Sequence, residues 1–390
     1  MGRFRRISLL AGVALAFSGA GAASGVPAPK AAPSAEQRQQ FFPAAAEIEA
    51  LLEWLVERKH ANGIVVGLLE PNGKRRIISV GSAGDGARTL GQRSTFELGS
   101  ITKTFTGALL ADMARRGEVS LNDPVAKYLP KEVTVPSKGG RQITLLDLAT
   151  HRSGLPPLPT GFRPPNRSNP FADYEATQLY EFLARHELER EIGAEAVYSN
   201  LGMGLLGHAL AQAAGAKSFS ALVEQRISRP LGMKMTGFSR ADSIGDSMVQ
   251  GYNRKGEQVP YWDMAVLAGA GGLNSNVEDM LTYLDANVGP PKTPLETAMR
   301  DAHRPRGPLW NKGDWRVGLG WQRRTVNGRS IVNHGGETAG FVTFIGFDPT
   351  SGAGVVVLGN SAAFEAANDL VFGLLGGTTV ADLRDSLSEK

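Results

Sequence analysis

Apolar residues follow strand-like spacing near both ends of this chain and helical spacing in its middle. Close to the N-terminus, apolar positions at helical spacing predict a helix over residues 45–60. Two short apolar runs, residues 64–69 and 75–80, predict strands, and the Pro-Asn-Gly-Lys sequence at residues 71–74 predicts a hairpin turn between them. The fold is therefore expected to begin with a helix followed by two antiparallel strands.

The middle of the chain, from residue 121 to about residue 260, lacks strand signals. Prolines mark long loops there, chiefly over residues 155–170. Helical spacing recurs in four segments, residues 145–150, 175–186, 202–214 and 219–227. This pattern predicts an inserted all-α domain over residues 121–260.

Strand signals return in the last third of the chain. Helices are predicted over residues 276–286 and 362–375, and strands over residues 318–324, 328–333, 341–347 and 354–359. Strands at both ends of the chain indicate one α/β (α+β) domain, made of residues 41–120 and 261–390, with an antiparallel β-sheet flanked by helices. A cleft would lie where this domain meets the helical one, a common place for ligand sites.

The first 40 residues read as export and linker sequence. A basic start, an apolar run over residues 7–17 and small residues after it predict a signal peptide over residues 1–23. The apolar run is shorter than the roughly 20 residues that span a bilayer, so no stable membrane span is expected. Residues 24–40 predict a flexible leader. The protein is therefore expected to be periplasmic or secreted.

Charge and cysteine content narrow the classes of partner. The chain has 42 basic and 38 acidic residues, and Arg3, Arg5 and Arg6 lie in the predicted signal peptide, so the mature protein is nearly neutral. This balance argues against a nucleic-acid partner. The chain has no cysteine, which excludes disulfides and a lipoprotein anchor. We expect a monomer that acts on a small-molecule substrate.

Residues 96–113 read as an extended lead-in, a glycine corner and a buried helix. Ser100 stands at the corner, where its hydroxyl and its unpaired backbone N–H can face a cleft. Lys103 follows on the same helix face within apolar sequence. Because desolvation lowers the pKa of a lysine, a neutral Lys103 could accept the Ser100 proton. The alternative for a lone Ser-x-x-Lys motif is a helix cap with a solvated lysine.

A Tyr-Ser-Asn motif precedes the predicted helix 202–214. If Tyr198 lies near Lys103, the cation would lower the pKa of the tyrosine, which could then serve as general base and acid. Asn200 could hydrogen-bond a substrate amide while it contacts the lysine. The alternative is an ordinary turn in which Asn200 caps the helix.

A third motif, His334-Gly335-Gly336-Glu337, lies at the end of a predicted strand. Glycines there would let a ligand lie against the sheet edge. The backbone N–H groups of Glu337 and Ser100 would together form an oxyanion hole. The alternative is a glycine hairpin with an incidental histidine.

These three motifs, in this order, resemble those of the serine β-lactamase and penicillin-binding-protein superfamily. The resemblance is to the class C (AmpC-like) branch, with its DD-peptidase and family VIII carboxylesterase relatives. Residues 121–130, 143–156, 230–233 and 271–275 also look like class C segments. The resemblance implies a β-lactamase/transpeptidase-like fold and neither a metal nor an organic cofactor. It implies acylation of Ser100, proton transfer by Lys103 and Tyr198, and substrate binding by Asn200, His334, Gly335, Gly336 and Glu337.

The sequence departs from the class C pattern at the third motif. Class C enzymes carry Lys-Thr-Gly where this chain has His334-Gly335-Gly336, and Leu158 stands near the usual place of a substrate-binding glutamine. If His334 binds a substrate carboxylate as imidazolium, its contribution should fade as pH rises through about 6.5.

The predicted function is that of an exported serine hydrolase which opens β-lactams through a Ser100 acyl-enzyme. A DD-carboxypeptidase acting on D-Ala-D-Ala ends, or a carboxylesterase acting on short acyl esters, would use the same chemistry. A non-catalytic penicillin sensor is the third alternative, and it would hold its acyl group without release.

Overall fold

The computed structural model describes residues 40–84, 89–238, 243–309 and 313–389. The predicted signal peptide and residues 24–39 of the predicted leader lie outside these ranges. The division into a helical domain, residues 121–260, and an α/β domain stays a prediction. Within the described residues, no helix is long and apolar enough to cross a membrane.

The centre of the fold is an eight-stranded sheet in which all neighbouring strands are antiparallel, in the order β2-β1-β8-β7-β6-β5-β4-β3. Its strands are β1 (Gly63–Leu69), β2 (Arg75–Gly81), β3 (Gly307–Pro308), β4 (Arg316–Val317), β5 (Gln322–Val326), β6 (Arg329–Glu337), β7 (Val342–Phe347) and β8 (Gly354–Gly359).

The neighbouring strands β1 and β8 are buried along their whole length. Alternate side chains of a strand point to opposite faces of the sheet. Val65 and Val356 accordingly belong to one hydrophobic core, whereas Val66 and Val357 belong to a second core on the other face. Helices cover both faces, and this explains why these strands are apolar without alternation.

Thirteen α-helices are present in the described residues. They are α1 (Ala45–Glu57), α2 (Thr102–Arg115), α3 (Leu145–Ala149), α4 (Ala176–Arg185), α5 (Asn200–Ala213), α6 (Phe219–Val223), α7 (Arg229–Leu231), α8 (Ser243–Ser247), α9 (Ala268–Gly271), α10 (Val277–Val288), α11 (Pro294–Ala302), α12 (Ala367–Gly376) and α13 (Val380–Ser388). Helices α1, α12 and α13 contribute to one core, and α2, α5, α10 and α11 contribute to the other.

In the described part of residues 121–260, the regular elements are the helices α3 to α8, short helical turns and two very short hairpins that were not predicted. Ser137–Lys138 pairs with Arg141–Gln142, and Gly251–Tyr252 pairs with Gln258–Val259. Each strand has only two residues, too few to show an alternating apolar pattern in the sequence.

Several further elements differ from the predictions. The strand predicted over residues 318–324 is β5, which begins only at residue 322, and the helix predicted over residues 362–375 is α12, which begins only at residue 367. Strand β6 continues to Glu337, four residues beyond the predicted end, so the third motif lies inside a central strand. Helix α11 was not predicted, although Thr293 caps it and accepts the backbone N–H of Glu296 at 3.1 Å. Helix α13 was not predicted either, because few of its residues are buried and the apolar pattern is correspondingly weak.

Candidate active site

A cleft of about 730 Å³ opens where α2 begins, beside β6 and the start of α5. All the predicted site residues except Lys103 line it, and Lys103 lies beneath them. The lining residues are Gly99, Ser100, Leu158, Phe171, Tyr198, Asn200, Trp262, Met264, Ala270, Gly271, Trp315, Gln322, His334, Gly335, Gly336, Glu337, Thr338, Ala339, Val342, Thr343, Phe344, Glu365 and Asn368.

Ser100 lies in a single 3₁₀ turn, Gly99–Ile101, that leads directly into α2. Gly99 adopts φ +51°, a conformation that favours glycine, and the Thr102 hydroxyl donates to its carbonyl at 2.7 Å. A Cβ on Gly99 would lie 2.7 Å from the backbone nitrogen of Glu337. The glycine therefore permits the close approach of the Ser100 turn to strand β6.

The backbone N–H of Glu337 points toward this turn. Thr338 N–H bonds the Phe341 carbonyl at 2.9 Å, and Glu337 pairs with Val342 in the same ladder. Because hydrogen-bonded and non-hydrogen-bonded pairs alternate in an antiparallel ladder, Glu337 directs its N–H away from β7. It thus faces Gly99 and Ser100, as an oxyanion hole requires.

Gly336 lies in close contact with the backbone of the segment that precedes Ser100. A Cβ at this position would lie 1.9 Å from the Leu98 carbonyl oxygen and 2.5 Å from the Thr343 hydroxyl. The Thr343 hydroxyl also donates to the Leu98 carbonyl at 2.9 Å. The sequence interpretation assigned the glycines of this motif to ligand contact, whereas Gly336 is needed for the junction of β6 with the Ser100 turn.

Lys103 is fully buried, and its ammonium nitrogen has three oxygen neighbours. Nζ lies 2.8 Å from Ser100 Oγ, 2.7 Å from Asn200 Oδ1 and 2.6 Å from the Ala270 carbonyl oxygen. No carboxylate is among these partners, and burial lowers the pKa of Lys103 well below its usual value. A neutral amine can donate to the amide and carbonyl oxygens while its lone pair faces the Ser100 hydroxyl.

Tyr198 lies over this group, with Lys103 Nζ 4.8 Å from the centre of its ring. Burial raises the pKa of Tyr198, and a hydrogen bond with Ser100 opposes this only in part. The sequence-based expectation that Lys103 would lower this pKa is therefore wrong. The reason is that desolvation disfavours the charged forms of both side chains, so the lysine is not a strong permanent cation here.

Asn200 is the first residue of α5, and its side chain accepts from Lys103. The helix cap is Ser199, whose hydroxyl accepts the Gly202 N–H at 2.8 Å. The alternative in which Asn200 is merely the cap is therefore wrong, and its amide remains directed to the cleft.

His334 lies on the cleft wall and is 2% exposed. Its Nδ1 lies 2.7 Å from the Gly335 carbonyl oxygen, which can only accept, so Nδ1 carries the proton. Burial, with a smaller contribution from Lys103, lowers the pKa of His334 to about 3. The imidazolium that the sequence interpretation considered is thus disfavoured, and the ring is neutral at physiological pH.

Two supporting residues were not singled out as site residues from the sequence. His151 is buried with φ +60°, packs its ring 4.6 Å from that of Tyr198, and accepts the Ser199 N–H. Glu97 is also buried, and its carboxylate accepts the Trp262 backbone N–H at 2.6 Å and the Thr338 hydroxyl at 2.7 Å. Within the described ranges, no group of three or more His, Cys, Asp or Glu residues could hold a metal ion.

Comparison with known proteins shows to which family the chain belongs. The protein-family model described as Beta-lactamase matches residues 48–375, most of the chain. The chain belongs to the beta-lactamase family.

The similar proteins include two kinds of enzyme. A Beta-lactamase of Pseudomonas fluorescens is 28% identical over 349 residues, which cover 80% of this chain and 92% of that protein. The D-alanyl-D-alanine-carboxypeptidase/endopeptidase AmpH of Escherichia coli K12 is 30% identical over 309 residues, which cover 73% of this chain and 77% of that protein.

Solved structures of beta-lactamase family members confirm the predicted fold. A beta-lactamase/D-alanine carboxypeptidase from Yersinia pestis, complexed with citrate, matches with a TM-score of 0.73 and 26% identity, covering 85% of this chain and 98% of its own. A class C beta-lactamase mutant matches with a TM-score of 0.72 and 24% identity, covering 85% and 96% of the two chains. The latter comparison concerns the fold alone.

Proposed function

We propose that this protein is an exported, monomeric serine hydrolase that opens the β-lactam amide bond through an acyl-enzyme on Ser100. The observation that supports this most directly is the fully buried side chain of Lys103, whose Nζ lies 2.8 Å from Ser100 Oγ. A lysine with a lowered pKa is a suitable base for a serine nucleophile.

In this proposal Ser100 Oγ attacks the carbonyl carbon as its proton moves to Lys103 Nζ. The negative charge on the carbonyl oxygen is stabilised by the backbone N–H groups of Ser100 and Glu337. When the C–N bond breaks, the leaving nitrogen takes the Tyr198 phenol proton, and the Lys103 ammonium returns a proton to the tyrosine. Water then attacks the ester as its proton passes to Lys103. When the bond between the acyl carbon and Ser100 Oγ breaks, Lys103 passes this proton to Oγ, so that the serine hydroxyl and the neutral amine are both restored.

A DD-carboxypeptidase is the second candidate, and the names of two relatives favour it. AmpH is named a D-alanyl-D-alanine-carboxypeptidase/endopeptidase, and the Yersinia pestis protein carries both activities in its name. The same groups would acylate Ser100 with a peptide and release D-alanine. The two activities differ in how fast water reaches each acyl-enzyme.

Time-resolved intact mass spectrometry of the mature protein with benzylpenicillin tests the proposal. A transient adduct of penicillin mass that clears while penicilloate accumulates is expected for a β-lactamase. A persistent adduct would reject β-lactamase activity, and D-alanine release from a D-Ala-D-Ala peptide would then identify a carboxypeptidase. Ser100→Ala is the control, and turnover by that variant would contradict the assignment of Ser100.

A further inference from the structure

The charge of the cleft wall bears on which substrates the proposed reaction takes. Among the described residues that line the cleft, none is a lysine or an arginine, and two, Glu337 and Glu365, are acidic. The amine beneath the cleft, Lys103, has a lowered pKa and already contacts three oxygens. A substrate carboxylate would therefore find no lining cation in the described part of the cleft.

Two arginines lie close to the wall, one in ion pairs with carboxylates and one against aromatic rings. The Arg254 guanidinium lies 3.5 Å from the Glu337 carboxylate and also pairs with Glu365, so these three groups carry one net negative charge. Arg324 lies 4.8 Å from the ring of Trp315 and 4.9 Å from that of Phe372. A substrate carboxylate near Arg254 would also meet the negative charges of Glu337 and Glu365.

His334 offers neither a charge nor a free hydrogen-bond donor to an anion. Since Nδ1–H donates to the Gly335 carbonyl, Nε2 of the neutral ring carries a lone pair and can only accept. This Nε2 is buried and has no protein partner. With its N–H turned to the Gly335 carbonyl and its Nε2 buried, the neutral ring supplies no hydrogen bond to a substrate carboxylate.

We propose that the cleft does not recognise a free carboxylate on the substrate and favours uncharged acyl donors, including esterified β-lactams. This inference rests on the proposed acylation of Ser100 and names the substrate class of that reaction. A lysine in place of His334 would supply the missing cation, so the preference should depend on this one position.

The test compares benzylpenicillin with its methyl ester in the acylation of Ser100, each rate divided by the alkaline hydrolysis rate of the same compound. Wild-type protein is expected to acylate with the ester at least as fast as with the acid. His334→Lys is expected to shift the ratio toward the acid by about tenfold to a hundredfold, the effect of one hydrogen bond to a charged group. Because both rates come from the same preparation, unfolded protein cancels from the ratio.

His334→Gln is the matched control, since it changes the side chain without adding charge, and it should leave the ratio within about threefold of wild type. A wild-type preference of tenfold or more for the acid would overturn the inference. If Arg254→Gln then abolished that preference, Arg254 would be the carboxylate-binding group and the inference would be wrong for that reason.

A second pair of substrates separates this inference from the proposed function. Phenyl acetate and 3-acetoxybenzoate differ by one carboxylate and can acylate Ser100 without any β-lactam ring. If neither penicillin forms an adduct, the β-lactamase proposal fails, and the ester pair still measures the charge preference. Faster acylation by phenyl acetate would support the inference, and faster acylation by 3-acetoxybenzoate would overturn it.

Discussion

Ser199 donates its backbone N–H to Nδ1 of His151 at 3.2 Å, which fixes the turn that carries Tyr198 to a buried histidine. The same histidine accepts the Val197 N–H through its own carbonyl at 2.8 Å and packs its ring against Tyr198. The position of the Tyr198 hydroxyl therefore depends on a residue that does not line the cleft. We regard His151 as a positioning residue.

His151→Ala should lower kcat/KM by roughly a hundredfold, because small displacements of a catalytic group are that costly. The informative measurement is the double variant with Tyr198→Phe. If His151 acts through the tyrosine hydroxyl, His151→Ala should lower kcat/KM much less in the Tyr198→Phe background than in wild type. Full additivity of the two losses would contradict this role. His208→Ala, at a histidine bonded to Tyr180, is the matched control and should leave activity unchanged.

Lys103→Arg should abolish acylation as completely as Lys103→Met. An arginine keeps the positive charge but does not lose its proton in proteins, so it cannot accept the Ser100 proton. Acylation by benzylpenicillin, followed by intact mass, is the measurement, with the thermal unfolding midpoint as a check on folding. Substantial acylation by the arginine variant would mean that Lys103 acts through its charge rather than as a base.

The chemistry of Ser100 and Lys103 could be predicted from sequence because both residues lie on one stretch of chain. Helical geometry fixes residues three apart on one face, whatever the rest of the fold does. Strands β1 and β8 could also be predicted from local sequence, because their continuous apolar runs require burial on both faces of the sheet. By contrast, β6 continues through two glycines that have low strand propensity, and this part of the strand pairs with β7, which follows it in the chain.

The protonation states could not be predicted in this way. Whether the pKa of Tyr198 is raised or lowered depends on how completely three separate segments of the chain bury it. The sequence alone does not show how closely these segments approach. The role of His151 was missed for a related reason, since 47 residues of chain separate it from the tyrosine that it packs against. Its positive φ and its buried ring become visible only in three dimensions.

Tyr198→Phe should lower kcat/KM by about a hundredfold or more while leaving the shape of its pH profile unchanged. Burial raises the pKa of Tyr198, so the phenol keeps its proton across the working range, and burial lowers the pKa of Lys103. Activity should therefore rise with pH as Lys103 loses its proton, with or without the tyrosine hydroxyl. If activity no longer rises with pH in Tyr198→Phe, the tyrosine is the base. The lower kcat/KM of this variant would then result from losing the base rather than from losing a proton donor.

His334 should make the protein sensitive to mild acid. Its folded-state pKa, about 3, lies below the value near 6.5 of an unfolded histidine. Between these values the unfolded chain binds a proton that the folded protein does not, so stability falls as pH decreases through this window. From pH 7 to 4.5, wild type should lose up to about 3 kcal/mol more unfolding free energy than His334→Gln. Urea titrations at both pH values measure this, and parallel losses would show that the folded histidine also becomes protonated.

Gly336→Ala should lower kcat/KM roughly a hundredfold through the oxyanion hole. The new Cβ would lie 1.9 Å from the Leu98 carbonyl oxygen, which must move and carry the Ser100 turn away from Glu337. Gly335→Ala is a matched control one residue earlier, where the nearest atoms are those of the Phe344 ring at 3.0 Å, and it should cost less than tenfold. The measurement is the rate of Ser100 acylation in each variant, compared at equal concentrations of folded protein. Equal losses at both positions would mean that general crowding of β6, rather than the Glu337 N–H, limits the reaction.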